Sequence, residues 1–186
     1  MIVNDTGKNK RLAIILAIVL AILQIGFVPN VALLGGRANL ALVLVACVCL
    51  GGSVKMAPVV GFASGAFYDL AGSGPIGLMA LILTIVGFGL AAMGRSRVAD
   101  DLVASITLFI PVTLLVNVVY GIVILIFDQS SSLVDALFLR ALPGSVLDVL
   151  AFFIVAVILS RSSAPASGFG KGKSSHRGAR FSTKGL

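Results

Sequence analysis

The chain has no tryptophan, no glutamate, a single histidine and two cysteines, and only 11% of its 186 residues are charged. These shortages exclude whole classes of function. The one histidine, His176, lies in a run of glycine, serine and basic residues, and no nucleophile stands near a base at a recognisable spacing, so the chain is not read as an enzyme. The apolar runs hold no cluster of His, Cys or carboxylate ligands, so neither a metal nor another cofactor is expected. Cys47 and Cys49 are two residues apart, which on a helix points them to nearly opposite faces. They read as buried thiols rather than as a disulfide or a shared ligand set.

What remains is apolar. Hydrophobic residues make up 59% of the chain, against roughly 45–50% in an average soluble domain, where about 25% of residues are charged. The charge-free runs Leu12 to Gly36, Leu70 to Gly94 and Leu102 to Phe127 each reach the roughly 20 residues a helix needs to cross about 30 Å of hydrocarbon. Lipid offers the backbone no hydrogen-bond partner, so such runs must be helical, and their lack of polar alternation excludes a barrel. The expected fold is an all-α, polytopic integral membrane protein.

Breaks at Pro29-Asn30, Gly51-Gly52-Ser53, Gly72-Ser73-Gly74-Pro75, Gly94 to Asp101 and Asp128 to Ser132 divide the chain into six spans. These fall near residues 12–28, 38–54, 56–71, 75–93, 102–127 and 142–160. Residues 1–11 then form an N-terminal segment, 12–160 a six-helix transmembrane domain and 161–186 a basic tail. Lys8, Lys10 and Arg11 before an apolar stretch resemble the opening of a secretion signal, but Gln24 to Gly36 offers no small-x-small cleavage site, and the segment is kept as the first span.

An even number of spans puts both termini on one side, and the basic residues agree. With both termini cytoplasmic, Lys8, Lys10, Arg11, Lys55, Arg95, Arg97, Arg161, Lys171, Lys173, Arg177, Arg180 and Lys184 lie inside, and only Arg37 and Arg140 lie outside. The net charge of +7 therefore reads as a membrane-surface feature, attracted to anionic lipid headgroups, and not as a nucleic-acid footprint. The tail from Arg161 has little apolar content and is expected to be disordered. Asp100 and Asp101 read as caps of the fifth span, Leu133 to Arg140 as a short amphipathic surface piece, and Arg140 with Asp148 as an ion pair near the outer surface. Pro111 predicts a tilt or kink in the fifth span.

The third span carries the most information. Ala57, Gly61, Gly65 and Asp69 stand four residues apart and line one helical face, a ridge of small residues that ends in an acid. Such a face packs closely against another helix, and the acid must find a partner or the interface. After it, Gly72, Gly74, Pro75 and Gly77 mark a tight turn, with Pro75 suited to the first position of the next helix. Two roles stay open for Asp69: accepting hydrogen bonds from the exposed amides that begin span four, or contacting a partner or bound lipid.

The order Gly61-Phe62, Gly65, Asp69, a Gly/Ser turn, then Pro75-x-Gly77-Leu78 resembles the core signature of the MreD family of rod-shape-determining membrane proteins. The resemblance covers about residues 8–160, including the N-terminal basic cluster and an arginine before the last span. It implies a scaffold of the cell-elongation complex in the bacterial cytoplasmic membrane. The implied partner is MreC, linked indirectly to MreB, RodA and a penicillin-binding transpeptidase in sidewall peptidoglycan synthesis. The alternative is the substrate-binding subunit of an energy-coupling-factor vitamin transporter, also a compact six-helix protein. Ala13, Ala17, Ala21 and Gly26 on the first span suit that alternative, whereas two tyrosines and no tryptophan provide poorly for a vitamin pocket.

Overall fold

The computed structural model describes residues 6–33, 35–50, 54–72, 74–97, 102–127, 134, 138 and 140–162. The expectations for Asp100 and Asp101, for most of Leu133 to Arg140 and for the tail beyond Ser162 fall outside these residues. Among the described residues the chain forms six helices: α1 (Thr6–Gly26), α2 (Leu40–Cys49), α3 (Ala57–Ala71), α4 (Leu78–Arg97), α5 (Leu102–Phe127) and α6 (Leu142–Ser162). Between α1 and α2 lie a single 3₁₀ turn, Val28–Asn30, and a two-stranded antiparallel hairpin of β1 (Ala32–Leu33) and β2 (Gly36–Arg37). This small hairpin was not foreseen in an otherwise all-α chain.

The molecule wears its apolar side chains outward. Ile22 on α1 is 66% exposed, and Leu115 on α5 and Ile154 on α6 are exposed as well. In water such a surface would aggregate; in lipid it is the expected outer shell. Arg11–Asn30, Leu102–Phe127 and Leu142–Ser160 are long and apolar enough to cross a bilayer, while Leu40–Cys49 and Leu78–Met93 are apolar but shorter. The helix α5 runs unbroken through Pro111.

The core is organised around α2. This helix packs against α1, α3, α4 and α6, and Leu42, Val43, Val45 and Ala46 have no exposed surface. It has 10 residues, about 15 Å of rise, where the sequence suggested a span from 38 to 54. A helix enclosed by protein need not match the bilayer, because side chains rather than headgroup water can satisfy its ends. Its N-terminal end is where buried polar groups gather.

Candidate functional site

The α3–α4 hairpin is the most closely packed unit in the fold. The four ridge residues face α4, and Ala57, Gly61, Gly65 and Asp69 are all buried. A Cβ at Gly65 would sit 2.5 Å from Ala80 Cα, and one at Gly61 would sit 2.9 Å from Thr84 Cα and fall onto the Leu83 carbonyl. From the other side, a Cβ at Gly87 would lie 2.9 Å from the Ala57 carbonyl. Backbone therefore meets backbone along the whole ridge, which gains dispersion contacts without a hydrophobic driving force between helices. The face proposed from sequence for helix packing or partner contact is occupied by α4 of the same chain.

Asp69 ends the ridge and is 3% exposed. Its Oδ2 accepts from the Gly77 amide at 2.9 Å and the Ala80 amide at 3.1 Å, and its Oδ1 accepts from the Met79 amide at 3.1 Å. These are orphan donors at the N-terminus of α4, where the positive end of the helix dipole favours an anion. The cap comes from the preceding helix because Gly77 has no side chain with which to cap its own. Gly77 has φ +95°, a backbone conformation that any other residue pays to adopt.

Pro75 does not open α4, as the sequence suggested. The Leu78 amide donates to the Pro75 carbonyl at 3.4 Å, forming a turn with Gly77 at its third position, and the helix begins at Leu78. A positive φ at Gly77 cannot continue a right-handed helix, so the start is set by Gly77 and Asp69 together. Gly72 closes α3 in extended conformation. Gly74 lets the turn settle on α5, since a Cβ there would run into the Tyr120 hydroxyl. Tyr120 in turn meets Tyr68 of α3 edge to face at 6.1 Å.

A second carboxylate does for α2 what Asp69 does for α4. Asp148 of α6 is fully buried and accepts from the Asn39 amide at 2.5 Å, the Thr113 hydroxyl at 2.8 Å and the Asn117 side-chain amide at 2.8 Å. Asn39 also caps α2 itself, accepting from the Leu42 amide at 3.1 Å. The Leu40 amide donates to Gln24 Oε1 of α1 at 2.8 Å. The expected Arg140–Asp148 pair is replaced by this arrangement: both Asp148 oxygens are engaged, while Arg140 is exposed. Arg140 reaches polar surroundings more cheaply than it could be desolvated beside Asp148.

The two carboxylates belong to one polar network, because the Asn39 side chain donates to the Met79 sulfur at 3.5 Å. Sequence reasoning singled out Asp69 and Asp148 but missed Asn39, Gln24 and Thr113. Asn39 carried a usable signal, an asparagine directly before an apolar helical run. The partnership of Thr113 and Gln24 carried none. Each carboxylate accepts three hydrogen bonds from helix ends or neighbouring helices, so both act to fix helix positions. No group of three or more His, Cys, Asp or Glu residues able to hold a metal ion occurs among the described residues.

No curated protein and no solved structure matches the chain. The family model described as rod shape-determining protein MreD matches residues 8–161, a stretch that contains nearly all of the six helices, both carboxylates and the α3–α4 turn. The chain therefore belongs to the MreD family, membrane proteins of rod-shape determination.

Proposed function

We propose that the protein is a membrane scaffold of the bacterial cell-elongation complex that binds MreC. Through MreC it links cytoplasmic MreB filaments to the RodA glycosyltransferase and its penicillin-binding transpeptidase, directing sidewall peptidoglycan synthesis. The observation that carries this reading is the family match over residues 8–161. The use of both buried carboxylates as helix caps supports a shape-holding role over proton or ion handling, since neither is left with a free partner position on a relay.

In this reading the six helices are six passes through the cytoplasmic membrane, with both termini inside. The hairpin at 32–37, the turn at 72–77 and the N-terminus of α6 then lie at the outer end. Contacts support that grouping: a Cβ on Gly36 would meet the Gly144 amide at 2.5 Å, and one on Gly74 would meet Tyr120. The test is a pull-down of the tagged protein from gently solubilised native membranes, with bound proteins identified by mass spectrometry. Recovery of MreC, with or without RodA and the transpeptidase, is the expected result. A coupling subunit with paired ATPases in place of MreC would replace the scaffold with a vitamin-uptake component.

A further inference from the structure

We infer that the open groove between α1 and α3 receives one transmembrane helix of a partner protein, with Ser64 as its polar contact. The inference rests on the scaffold reading and locates the surface through which the scaffold binds. Helix α1 packs chiefly on α2, and its flank toward α3 is left open as a groove of about 290 Å³. Ala17, Ala21 and Gln24 form one wall, Ala63, Ser64 and Phe67 the other, and α2 the floor.

Ser64 distinguishes this groove from an ordinary lipid-facing furrow. The residue is 8% exposed and lines the groove, and its hydroxyl has no hydrogen-bond partner among the described residues. The hydroxyl is nonetheless not sealed off, since among the described residues no fully buried side-chain oxygen lacks a partner. Other helical serine and threonine hydroxyls are satisfied within the chain: Thr84, Thr107 and Ser160 each donate to a carbonyl of their own helix, Ser145 donates to the Ala141 carbonyl just before α6, and Thr113 donates to Asp148. Ser64 points its hydrogen-bonding capacity at whatever fills the groove.

An acyl chain has nothing to offer that hydroxyl. A transmembrane helix bearing a serine, threonine or asparagine does, and the small side chains of Ala17, Ala21 and Ala63 let its backbone come close. A helix occupant therefore satisfies both the polarity and the shape of the groove, whereas a lipid satisfies only its apolar walls.

The test places a photo-crosslinking phenylalanine analogue at Ala21 or Ala63 on the groove rim, and at Ile85 or Ile158 on exposed faces of α4 and α6, in native membranes. The expected result is an adduct from the rim positions whose peptides map to the membrane segment of the single-span partner, and none from the controls. Adducts with lipid alone at the rim, or equal partner adducts at the control positions, overturn the inference. In the same membranes S64A is expected to lower partner recovery about threefold to tenfold, the scale of one interhelical hydrogen bond, and S64L to abolish it at equal membrane level. Unchanged recovery with both variants also overturns it. If the unsubstituted chain recovers no such partner, the scaffold reading fails and this inference with it; if the partner is recovered but crosslinks elsewhere, only the groove assignment fails.

Discussion

Asn39 and Met79 touch where two helix ends meet, the asparagine amide donating to the thioether sulfur at 3.5 Å. Asn39 caps α2 and donates its own amide to Asp148 of α6, while the Met79 amide near the start of α4 donates to Asp69 of α3. Four helices are thus tied together through two caps and one weak sulfur contact. Asn39→Leu is expected to cost about 1–3 kcal/mol, since it removes the α2 cap and leaves the Leu42 amide unpaired. Met79→Leu is expected to cost less than about 1.5 kcal/mol as a volume-conserving change. A comparison of thermal midpoints in detergent, read by a thiol-reactive dye on the buried Cys47 and Cys49, checks the ranking.

The ridge of α3 has no room for added atoms. Gly65→Ala and Gly61→Ala should each destabilise the protein by about 1–3 kcal/mol, the usual range for overpacking, and Gly65→Leu by more. Gly26→Ala should do nothing measurable, because among the described residues no atom lies within 4 Å of where its Cβ would go. The same dye assay separates the three; equal midpoints for Gly65→Ala and Gly26→Ala would contradict the close α3–α4 approach.

Asp69 serves α4 through both oxygens, so the conservative replacement should keep part of its effect. Asp69→Asn retains one acceptor and is expected to be milder than Asp69→Ala, which strands three amides at about 1–3 kcal/mol for each unsatisfied group. Gly77→Ala should also destabilise, through its positive φ, although nothing stands in the way of the added methyl. Finding Asp69→Asn as damaging as Asp69→Ala would point to a role other than capping.

Asp148 and Asn117 should be coupled. Asp148→Leu leaves the Asn39 amide, the Thr113 hydroxyl and one Asn117 hydrogen without their acceptor. Adding Asn117→Leu removes one of those orphans, so the double variant should be less damaged than the sum of the single variants, by about 0.5–3 kcal/mol. Simple additivity in a double-mutant cycle would mean that the two side chains do not share their interaction.

The topology proposed above places Arg37 and Lys55 on opposite faces of the membrane. In a background with Cys47→Ala and Cys49→Ala, Arg37→Cys is expected to react with a membrane-impermeant thiol reagent applied to intact cells. Lys55→Cys is expected to react only after the membrane is opened. Labelling of both in intact cells would rule out an α2 that crosses between them.

Composition and run length made the all-α membrane fold legible, and for α5 the apolar run and the helix share the limits Leu102 and Phe127. The spacing of Ala57, Gly61, Gly65 and Asp69 made a shared face legible, but not which helix covers it, because small residues show the closeness of an approach and say nothing of the partner. The partner of Asp148 was misjudged for a related reason. Arg140 is near in sequence and opposite in charge, yet the groups that satisfy Asp148 come from Asn39, Thr113 and Asn117, and the first of these is 109 residues away. Hydrogen bonds between neutral donors and a buried acid leave no pattern along the chain. The helix expected over 38–54 is longer than α2 because it was sized to cross the bilayer, whereas a helix enclosed by protein need not do so.

The separation between Asn39 and Asp148 also has a consequence for how the protein is made. Everything that closes the start of α4, namely Asp69, the turn and Gly77, lies within a few residues of chain, so the α3–α4 hairpin can complete its hydrogen bonding soon after it leaves the ribosome. The start of α2 cannot. The amide of its N-cap residue Asn39 waits for an acceptor on α6, and an unpaired amide in hydrocarbon costs several kcal/mol. The N-terminal end of α2 is therefore expected to stay near water until α6 inserts, so that the helix at the centre of the finished bundle is among the last to be locked in place.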